Sequence, residues 1–369
     1  MLRCIIFINL LFVSNFSQGS LLTKLANESS IAKNTKRTTD GRIPPTKSGK
    51  LKQGISICWP TIENPILEKA KWTIDGCIQP MESGKLESGK FGLGRQNGTK
   101  FHEGIDIKSF TKDKSGKPTD CIYAFMDGKV VYVNASESAS AYGRYVVLEH
   151  EYFLTLYAHL ASINVSVGQP IKAGEKLGIL GTSSNCVKIP NTRAHLHFEI
   201  DFQIDNGQNF SAWYTAKYNN PPPHGRYNGY NLIGVDPLVI TEKLIKKTSP
   251  TNVLSDEKEA ATIQIIENFI PEFIKQYAEL FAPDIDLSKP VCGWEIQFSW
   301  FGLPIRWIPI YSNSKQRPKL KLTSYRKSLV KQSILNNVLE EKKSPKGSNE
   351  ITVGSKIINN LKKMGFATN

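Results

Sequence analysis

Cysteine and histidine are both scarce in this chain of 369 residues, with six of each. No two cysteines form a CxxC pair, which argues against a zinc site built from cysteine thiolates. After the first twenty residues, no run is long and apolar enough for a membrane-spanning helix, so we expect no integral membrane segment. Strand and helix patterns do not alternate in the βαβ manner, which argues against a parallel nucleotide-binding sheet.

Acidic residues are also outnumbered. The 47 Lys and Arg residues exceed the 33 Asp and Glu residues and give a net charge of +14. This balance favours an anionic partner such as nucleic acid, a membrane surface or cell-wall polymers. The chain carries no recognised nucleic-acid motif and no platform of alternating aromatic and basic residues, so we expect no nucleic-acid partner.

The N-terminus has the pattern of a signal peptide. Arg3 is followed by a ten-residue apolar stretch, residues 4–13, and then by the small residues Ser17 and Gly19. We therefore predict a signal peptide over residues 1–19 and an exported protein of the periplasm, cell envelope or extracellular space. Cleavage would leave an odd number of cysteines, so at least one thiol stays free or pairs between chains. These five are Cys58, Cys77, Cys121, Cys186 and Cys292.

Composition divides the remaining chain into three parts. Residues 20–54 are rich in Lys, Thr, Ser and Asn, which indicates a flexible leader. Residues 55–240 show short β-type runs separated by Gly and Pro, which predicts a mainly β domain built on an antiparallel sheet or sandwich. Residues 241–369 predict a mixed α/β C-terminal extension of unknown role. The sequence leaves the oligomeric state open.

Individual elements can be predicted from the apolar spacing. Strands are expected at 129–133, 145–148 and 152–157, followed by a glycine-spaced hairpin over 165–178. In the extension, Asp256 and Glu259 resemble a capping box. The apolar spacing from 263 to 277 predicts an amphipathic helix that Pro271 kinks or divides. A strand at 294–300 and a last helix at 355–364 complete the prediction.

Two short segments contain residues that are typical of metal ligands. His102 and Asp106 provide an imidazole and a carboxylate four residues apart. His195 and His197 lie in a β-type run, so both rings project from the same face, about 6.6 Å apart along the backbone. One ring can bind a metal while the other meets a water or substrate oxygen. The spacing alone does not tell which ring does which.

A fifth residue, His159, ends the β-type run that begins at Tyr152. One carboxylate and two histidines supply three ligands suited to zinc and leave a coordination position open for water, as in catalytic rather than structural zinc sites. Two further histidines then remain to handle protons. The combination predicts a catalytic zinc site.

These motifs resemble the lysostaphin-type (LytM-like) zinc endopeptidases, which hydrolyse peptide bonds in peptidoglycan. The similar segments are 101–107, 156–160, the hairpin and 195–200, and the resemblance covers roughly residues 91–238. It implies that His102, Asp106 and His197 ligate Zn²⁺. It also implies that His159 and His195 are the catalytic pair, and that peptidoglycan is the partner.

Some features depart from the family pattern. The loop at 182–194 is longer and less rich in glycine than is usual, and residues 206–214 and 221–224 look like added decorations. We interpret His150 and His224 as non-catalytic. A second hypothesis is a non-catalytic relative that binds the cell wall or activates an amidase. Such relatives have typically lost metal ligands, whereas all five positions are intact here.

Overall fold

The computed structural model describes residues 56–65, 73–81, 84–186, 188–246, 248, 252–286, 288–311, 320–344 and 348–368. The predicted signal peptide and leader lie outside these residues. None of the described helices is long and apolar enough to cross a membrane. The five cysteines after residue 50 are all described, and none of them forms a disulfide.

Antiparallel strands dominate the described residues, as predicted. The strands are β1 (Gly92–Arg95), β2 (Lys100–His102), β3 (Ile105–Lys108), β4 (Cys121–Tyr123), β5 (Gly128–Asn134), β6 (Tyr145–Glu149), β7 (Leu154–Ala158), β8 (Leu160–Ile163), β9 (Pro170–Ile171), β10 (Lys176–Leu180), β11 (His195–Gln203), β12 (Leu232–Val235), β13 (Ala261–Ile265), β14 (Gly293–Phe298), β15 (Pro304–Ile310), β16 (Lys321–Tyr325), β17 (Leu339–Lys343) and β18 (Asn349–Val353). The helices are α1 (Ile74–Cys77), α2 (Gln208–Tyr218), α3 (Pro237–Ile245), α4 (Glu272–Phe281), α5 (Val330–Leu335) and α6 (Ser355–Lys363).

The largest sheet has the strand order β12-β11-β7-β6-β5-β9. Strand β3 pairs with the first half of β11, and β12 pairs with its second half. Every pairing in this sheet is antiparallel. A three-stranded sheet in the order β4-β10-β8 lies alongside, and β1 and β2 form a hairpin.

Strand β11 is buried along all nine of its residues. Side chains alternate between faces along a strand, so its apolar and ionisable residues separate. Leu196, Phe198, Ile200 and Phe202 belong to the main apolar core. His195, His197, Glu199 and Asp201 therefore share the opposite face. A smaller apolar cluster, centred on residues of β6 and β7, lies apart from that core.

The C-terminal extension packs directly against the β domain. Its sheet has the order β15-β14-β13-β16. Phe202 of β11 contacts Tyr277 and Phe281 of α4, with ring centroids 5.3 and 5.0 Å apart. The ring centroids of Phe101 and Trp300, which belong to the β domain and the extension, are 5.7 Å apart. One apolar core thus runs across the compositional boundary at residue 240.

The helix predicted over 263–277 is wrong in its first half. Residues 261–265 form β13, the strand between β14 and β16, and Ala261, Ile263 and Ile265 are buried. Pro271 stands immediately before α4, where its missing N–H leaves no hydrogen bond unmade. The capping box suggested by Asp256 and Glu259 begins no helix. The last helix, at Ser355–Lys363, is confirmed.

Candidate metal centre

A tight turn brings two predicted ligands onto adjacent strands. His102 ends β2, and Asp106 lies within β3 directly opposite His197 of β11. Gly104 lies in the turn between His102 and Asp106, and a Cβ at this position would stand 2.3 Å from the backbone oxygen of Phe198. Only glycine lets the turn approach β11 so closely. Antiparallel pairing thus joins residues that are separated by more than ninety positions in the chain.

The three predicted ligands converge in space. The donor atoms of His102, Asp106 and His197 all lie within 4.8 Å of one another, and all three residues are buried. His102 Nε2 is 3.0 Å from His197 Nδ1. Asp106 Oδ1 is 3.1 Å from His197 Nδ1 and 3.3 Å from His102 Nε2. Two imidazole nitrogens and a carboxylate oxygen are a donor set that suits zinc, so the residues fit the ion.

Both candidate histidine ligands are fixed through their other ring nitrogen. His102 Nδ1 lies 2.9 Å from the backbone oxygen of Lys90, which can only accept a hydrogen bond. His197 Nε2 lies 2.6 Å from Glu199 Oε1. Each outer nitrogen therefore carries a proton, so the inner nitrogen is the one that can present a lone pair to a metal. Outer partners of this kind are typical of histidines that bind metals.

Glu199 belongs to a buried acidic group that the sequence analysis did not anticipate. The Tyr142 hydroxyl donates to both Glu199 oxygens, at 3.1 and 3.2 Å. Asp201, two residues further along the same face, has no hydrogen-bond donor on either oxygen among the described residues. Burial and the nearby charges of Glu199 and Glu103 raise the pKa of Asp201 well above its usual value. Asp201 is therefore neutral and lies on the same strand face as Glu199, which accepts from His197.

Arg95 adds a fixed positive charge beside the predicted ligands. Its Nη2 hydrogen-bonds Asp106 Oδ2 and lies 3.0 Å from His102 Nε2. Burial opposes the ionisation of Asp106, but His102 and His195 outweigh it, and the pKa of Asp106 lies well below its usual value. Asp106 is therefore a carboxylate, the form that binds cations. No spacing rule links Arg95 to the motifs, so its place beside the ligands does not follow from the sequence.

The predicted catalytic pair lies beside the three ligands. The His159 ring is 4.8 Å from the His195 ring and 5.9 Å from the His197 ring, between centroids. His195 Nε2 is 3.7 Å from Asp106 Oδ1. The structure thus brings all five predicted residues together.

Backbone carbonyls set the orientation of this pair. His159 Nδ1 lies 2.8 Å from the Ser183 oxygen, and His195 Nδ1 lies 2.8 Å from the Arg193 oxygen. A carbonyl only accepts, so each Nδ1 donates and each Nε2 is left unprotonated in the neutral ring. Both carbonyls belong to the loop at 182–194, which therefore borders the site. His159 also adopts a left-handed backbone, with φ of 60°.

The histidines of the site differ in their pKa values. For His102, His159 and His195, burial is the main cause, and it lowers the pKa below the ordinary value. His197 differs, because Glu199 and Asp106 outweigh burial and raise its pKa to about 9. The predicted catalytic pair is neutral at pH 7, and a proton on His197 Nδ1 would leave when a metal binds there.

The other two histidines contribute nothing to this group. His150 uses its two ring nitrogens on the Asp127 oxygen and the Thr155 hydroxyl, both at 2.8 Å. His224 Nδ1 lies 2.8 Å from the Tyr132 hydroxyl. These contacts agree with the interpretation of both as non-catalytic.

Part of this chain is similar to known proteins. Residues 100–211 match the family model of peptidase family M23, a segment that contains all five predicted site residues. The resemblance read from the motifs is thereby confirmed for this part of the chain. The match ends before the C-terminal extension begins.

Three proteins of different description are similar to this part of the chain. Murein hydrolase activator NlpD of Escherichia coli (strain K12) is 31% identical over 103 residues, which are 28% of this chain and 23% of NlpD. Peptidoglycan DD-endopeptidase ShyB of Vibrio cholerae is 38% identical over 80 residues, which are 21% of this chain and 17% of ShyB. The catalytic domain of the antimicrobial peptidase lysostaphin from Staphylococcus simulans is 28% identical, covers 30% of this chain and 74% of that domain, and has a TM-score of 0.23. The chain spans about a third or less of the length of the curated relatives it matches.

Proposed function

We propose that this protein is a zinc-dependent endopeptidase that hydrolyses peptide cross-links in bacterial peptidoglycan. The observation that carries the proposal is the convergence of three buried donors, His102, Asp106 and His197, within 4.8 Å of one another. His159 and His195 stand beside them, each with an unprotonated Nε2 in the neutral ring. The match to peptidase family M23 and the similarity to a peptidoglycan DD-endopeptidase support the choice of substrate.

The proposed chemistry divides between the ion and the protein. Zinc, when bound, supplies a Lewis acid that polarises a carbonyl and acidifies water. His159 or His195 accepts the proton of the attacking water at Nε2 and returns it to the leaving amine. The other ring stabilises the negative charge that develops on the carbonyl oxygen. The carbonyls of Ser183 and Arg193 hold both neutral rings with Nε2 unprotonated, which is the form that the proton acceptor needs. The ring that faces the carbonyl oxygen donates to it only after binding a second proton at Nε2.

Export is part of the proposal. We propose that residues 1–19 are removed as a signal peptide, that 20–54 form a leader, and that 55–240 are the peptidase domain followed by the extension at 241–369. Peptidoglycan lies outside the cytoplasm, so the substrate and an exported location agree. N-terminal sequencing of the exported protein tests this, and an intact Met1 contradicts it.

The central experiment combines zinc content with digestion of purified peptidoglycan sacculi. We expect about one zinc per chain, lowered occupancy in the alanine variants of His102, Asp106 and His197, and soluble fragments with new peptide termini. His159→Ala and His195→Ala should keep zinc and lose roughly a hundredfold to ten-thousandfold of the hydrolysis rate. Their unchanged zinc content separates proton transfer from metal binding.

Three results count against the proposal. Full zinc retention in all three ligand variants contradicts the assignment of the metal site. Fragments that carry only new carbohydrate ends contradict the proposed peptidase activity. Near wild-type hydrolysis by zinc-loaded His195→Ala contradicts the proposed role of the catalytic pair.

A second candidate is a non-catalytic activator of another cell-wall hydrolase. Its support is the 31% identity to a murein hydrolase activator over 103 residues. Under this hypothesis the purified protein releases no fragments by itself and accelerates an added amidase. The five site residues favour the endopeptidase.

A further inference from the structure

Helix α2 carries a ladder of aromatic rings along one face. Phe210, Tyr214 and Tyr218 are spaced four residues apart, which places them above one another on a helix. Ring centroids lie 5.8 Å apart for Phe210 and Tyr214, and 4.5 Å apart for Tyr214 and Tyr218. Trp213 lies 6.1 Å from Phe210 and 6.3 Å from Tyr218. The ladder runs from the fully buried Phe210 out to the protein surface.

Tyr230, in the loop before β12, continues the ladder at the surface. Its ring is stacked on that of Tyr218, with centroids 5.9 Å apart and planes inclined by 27°. Tyr230 is 53% exposed and Tyr218 is 37% exposed. Large apolar side chains are rarely this exposed in the described residues, and these two are adjacent. A contiguous exposed aromatic surface commonly marks a binding site.

We call Trp213, Tyr214, Tyr218 and Tyr230 the aromatic platform. Its chemistry is mixed, because rings, phenolic hydroxyls and a cation occur together. Lys217 Nζ lies 5.0 Å from the Trp213 ring and 5.3 Å from the Tyr218 ring. Exposed aromatic rings occur in protein interfaces as well as in sugar-binding sites, and the ammonium group is the feature that favours an anionic ligand. Rings with hydroxyls and an ammonium group fit a sugar polymer that carries carboxylates.

The aromatic platform is connected to the candidate metal centre through two residues. Tyr230 follows Gly229, where an added Cβ would lie 2.7 Å from the Tyr142 hydroxyl. The Tyr142 ring lies 5.5 Å from the ring of His197. The segment that carries Tyr230 is therefore packed against a neighbour of His197, which links the position of the platform to that of the candidate metal centre.

We propose that the aromatic platform binds the glycan strand of peptidoglycan, with sugar rings stacked on Tyr218 and Tyr230. The C–H groups on the face of a pyranose ring are weakly positive and pack against the negative face of an aromatic ring. Lys217 would pair with carboxylates of the attached peptides. The proposal rests on the proposed function, because it names the part of that substrate which is held while a peptide enters the site.

Binding to peptide-free glycan strands tests the platform separately from catalysis. The strands are prepared by removing the stem peptides from sacculi with an amidase, and they are titrated into the full mature chain. Tyr218→Ala and Tyr230→Ala should each weaken binding about tenfold, and Tyr230→Phe, which keeps the ring, should restore it. Tyr325→Ala is the matched control, because Tyr325 is 40% exposed on β16 and lies outside the platform. Thermal unfolding checks that each variant is folded.

The outcomes for the platform and for the proposed function are separable. A wild-type chain that does not bind the strands, or alanine variants that bind them as tightly as wild type, overturns the platform. A loss of affinity for free stem peptides, with glycan binding unchanged, assigns the platform to peptide recognition and also overturns the proposal. A chain that binds strands but releases no new peptide termini from sacculi refutes the proposed function and leaves the platform intact.

Discussion

At the scale of single residues, the contact between His197 and Glu199 determines which nitrogen faces the other ligands. Glu199 accepts from Nε2, so Nδ1 faces Asp106 and His102. We predict that Glu199→Gln lowers zinc affinity roughly tenfold to a hundredfold, because a neutral amide no longer fixes the ring and its charge state. Competition with a chromophoric chelator measures this affinity.

A matched substitution separates this effect from a general loss of negative charge. Glu149 is exposed on β6, and Glu149→Gln removes the same charge far from the candidate ligands. Its zinc affinity should equal that of the wild type. Equal affinities for Glu199→Gln and wild type would show that Glu199 does not orient His197.

His150 gives a prediction about stability and pH. Burial lowers its pKa in the folded state to about 4, against about 6.5 in the unfolded chain. Between these values the unfolded chain binds the extra proton, so the free energy of unfolding falls as the pH falls. Protonation of His150 in the unfolded chain lowers the free energy of unfolding by about 2 kcal/mol between pH 7 and pH 5. His150→Gln has no such group, so its free energy of unfolding, measured in urea, should fall less over this range. An equal fall in the variant and the wild type would contradict the prediction.

At the scale of elements, the sequence predicts strands better than it predicts helices. Short β-type runs beside glycine turns correctly place β5, β6 and β7, and alternation places β14, because both patterns have a local signature. The segment at 263–277 misleads because a short apolar run fits a helix as well as a central strand. Only the pairing of β13 with β14 and β16, which is distant in sequence, decides between them.

The candidate site shows the same limit. Its five histidine and aspartate positions follow from spacing and family resemblance, and the structure brings them together. Glu199 could have been found, since it lies two residues from His197 on the same strand face. Arg95 and Tyr142 could not, because tertiary packing alone brings them to Asp106 and Glu199.

Gly143 gives an element-scale prediction about the loop that orients His159. Its φ is +61°, and an added Cβ would stand 2.2 Å from the Ser183 oxygen, which accepts from His159 Nδ1. Gly143→Ala should lower stability by roughly 2–4 kcal/mol and reduce hydrolysis of sacculi while zinc is retained. Denaturant unfolding, zinc content and turbidity measure the three effects.

Gly168 supplies the control for this prediction. Its φ is +90°, and an added Cβ would have no neighbour within 4 Å among the described residues. Gly168→Ala therefore carries the backbone strain alone, about 1 kcal/mol, and should leave hydrolysis unchanged. Equal losses of stability and of hydrolysis in Gly143→Ala and Gly168→Ala would show that the contact with Ser183 affects neither quantity.

At the scale of the whole molecule, the extension and the β domain share one core. Phe281 of α4 is fully buried, and its ring contacts Phe202 of β11. We predict that Phe281→Ala lowers the free energy of unfolding by about 3–5 kcal/mol and that the protein still unfolds in one transition. Release of zinc should follow the same transition, because His197 lies on the strand that Phe281 covers.

Leu335 is the control, since it lies in the extension and is 44% exposed. Leu335→Ala should change stability by less than about 0.5 kcal/mol. Two separate transitions in the Phe281→Ala protein, with zinc released only in the second, would show that the two parts fold independently.

The alternation of β11 limits how this site can change during evolution. One strand carries a candidate ligand, a candidate proton carrier and the carboxylate behind them on one face, and core residues on the other. Inserting or deleting one residue within β11 exchanges the faces, which puts ionisable groups into the core and apolar groups at the site. Such a change abolishes folding and chemistry in one step. Variation in length among descendants is therefore confined to the loops at either end of the strand.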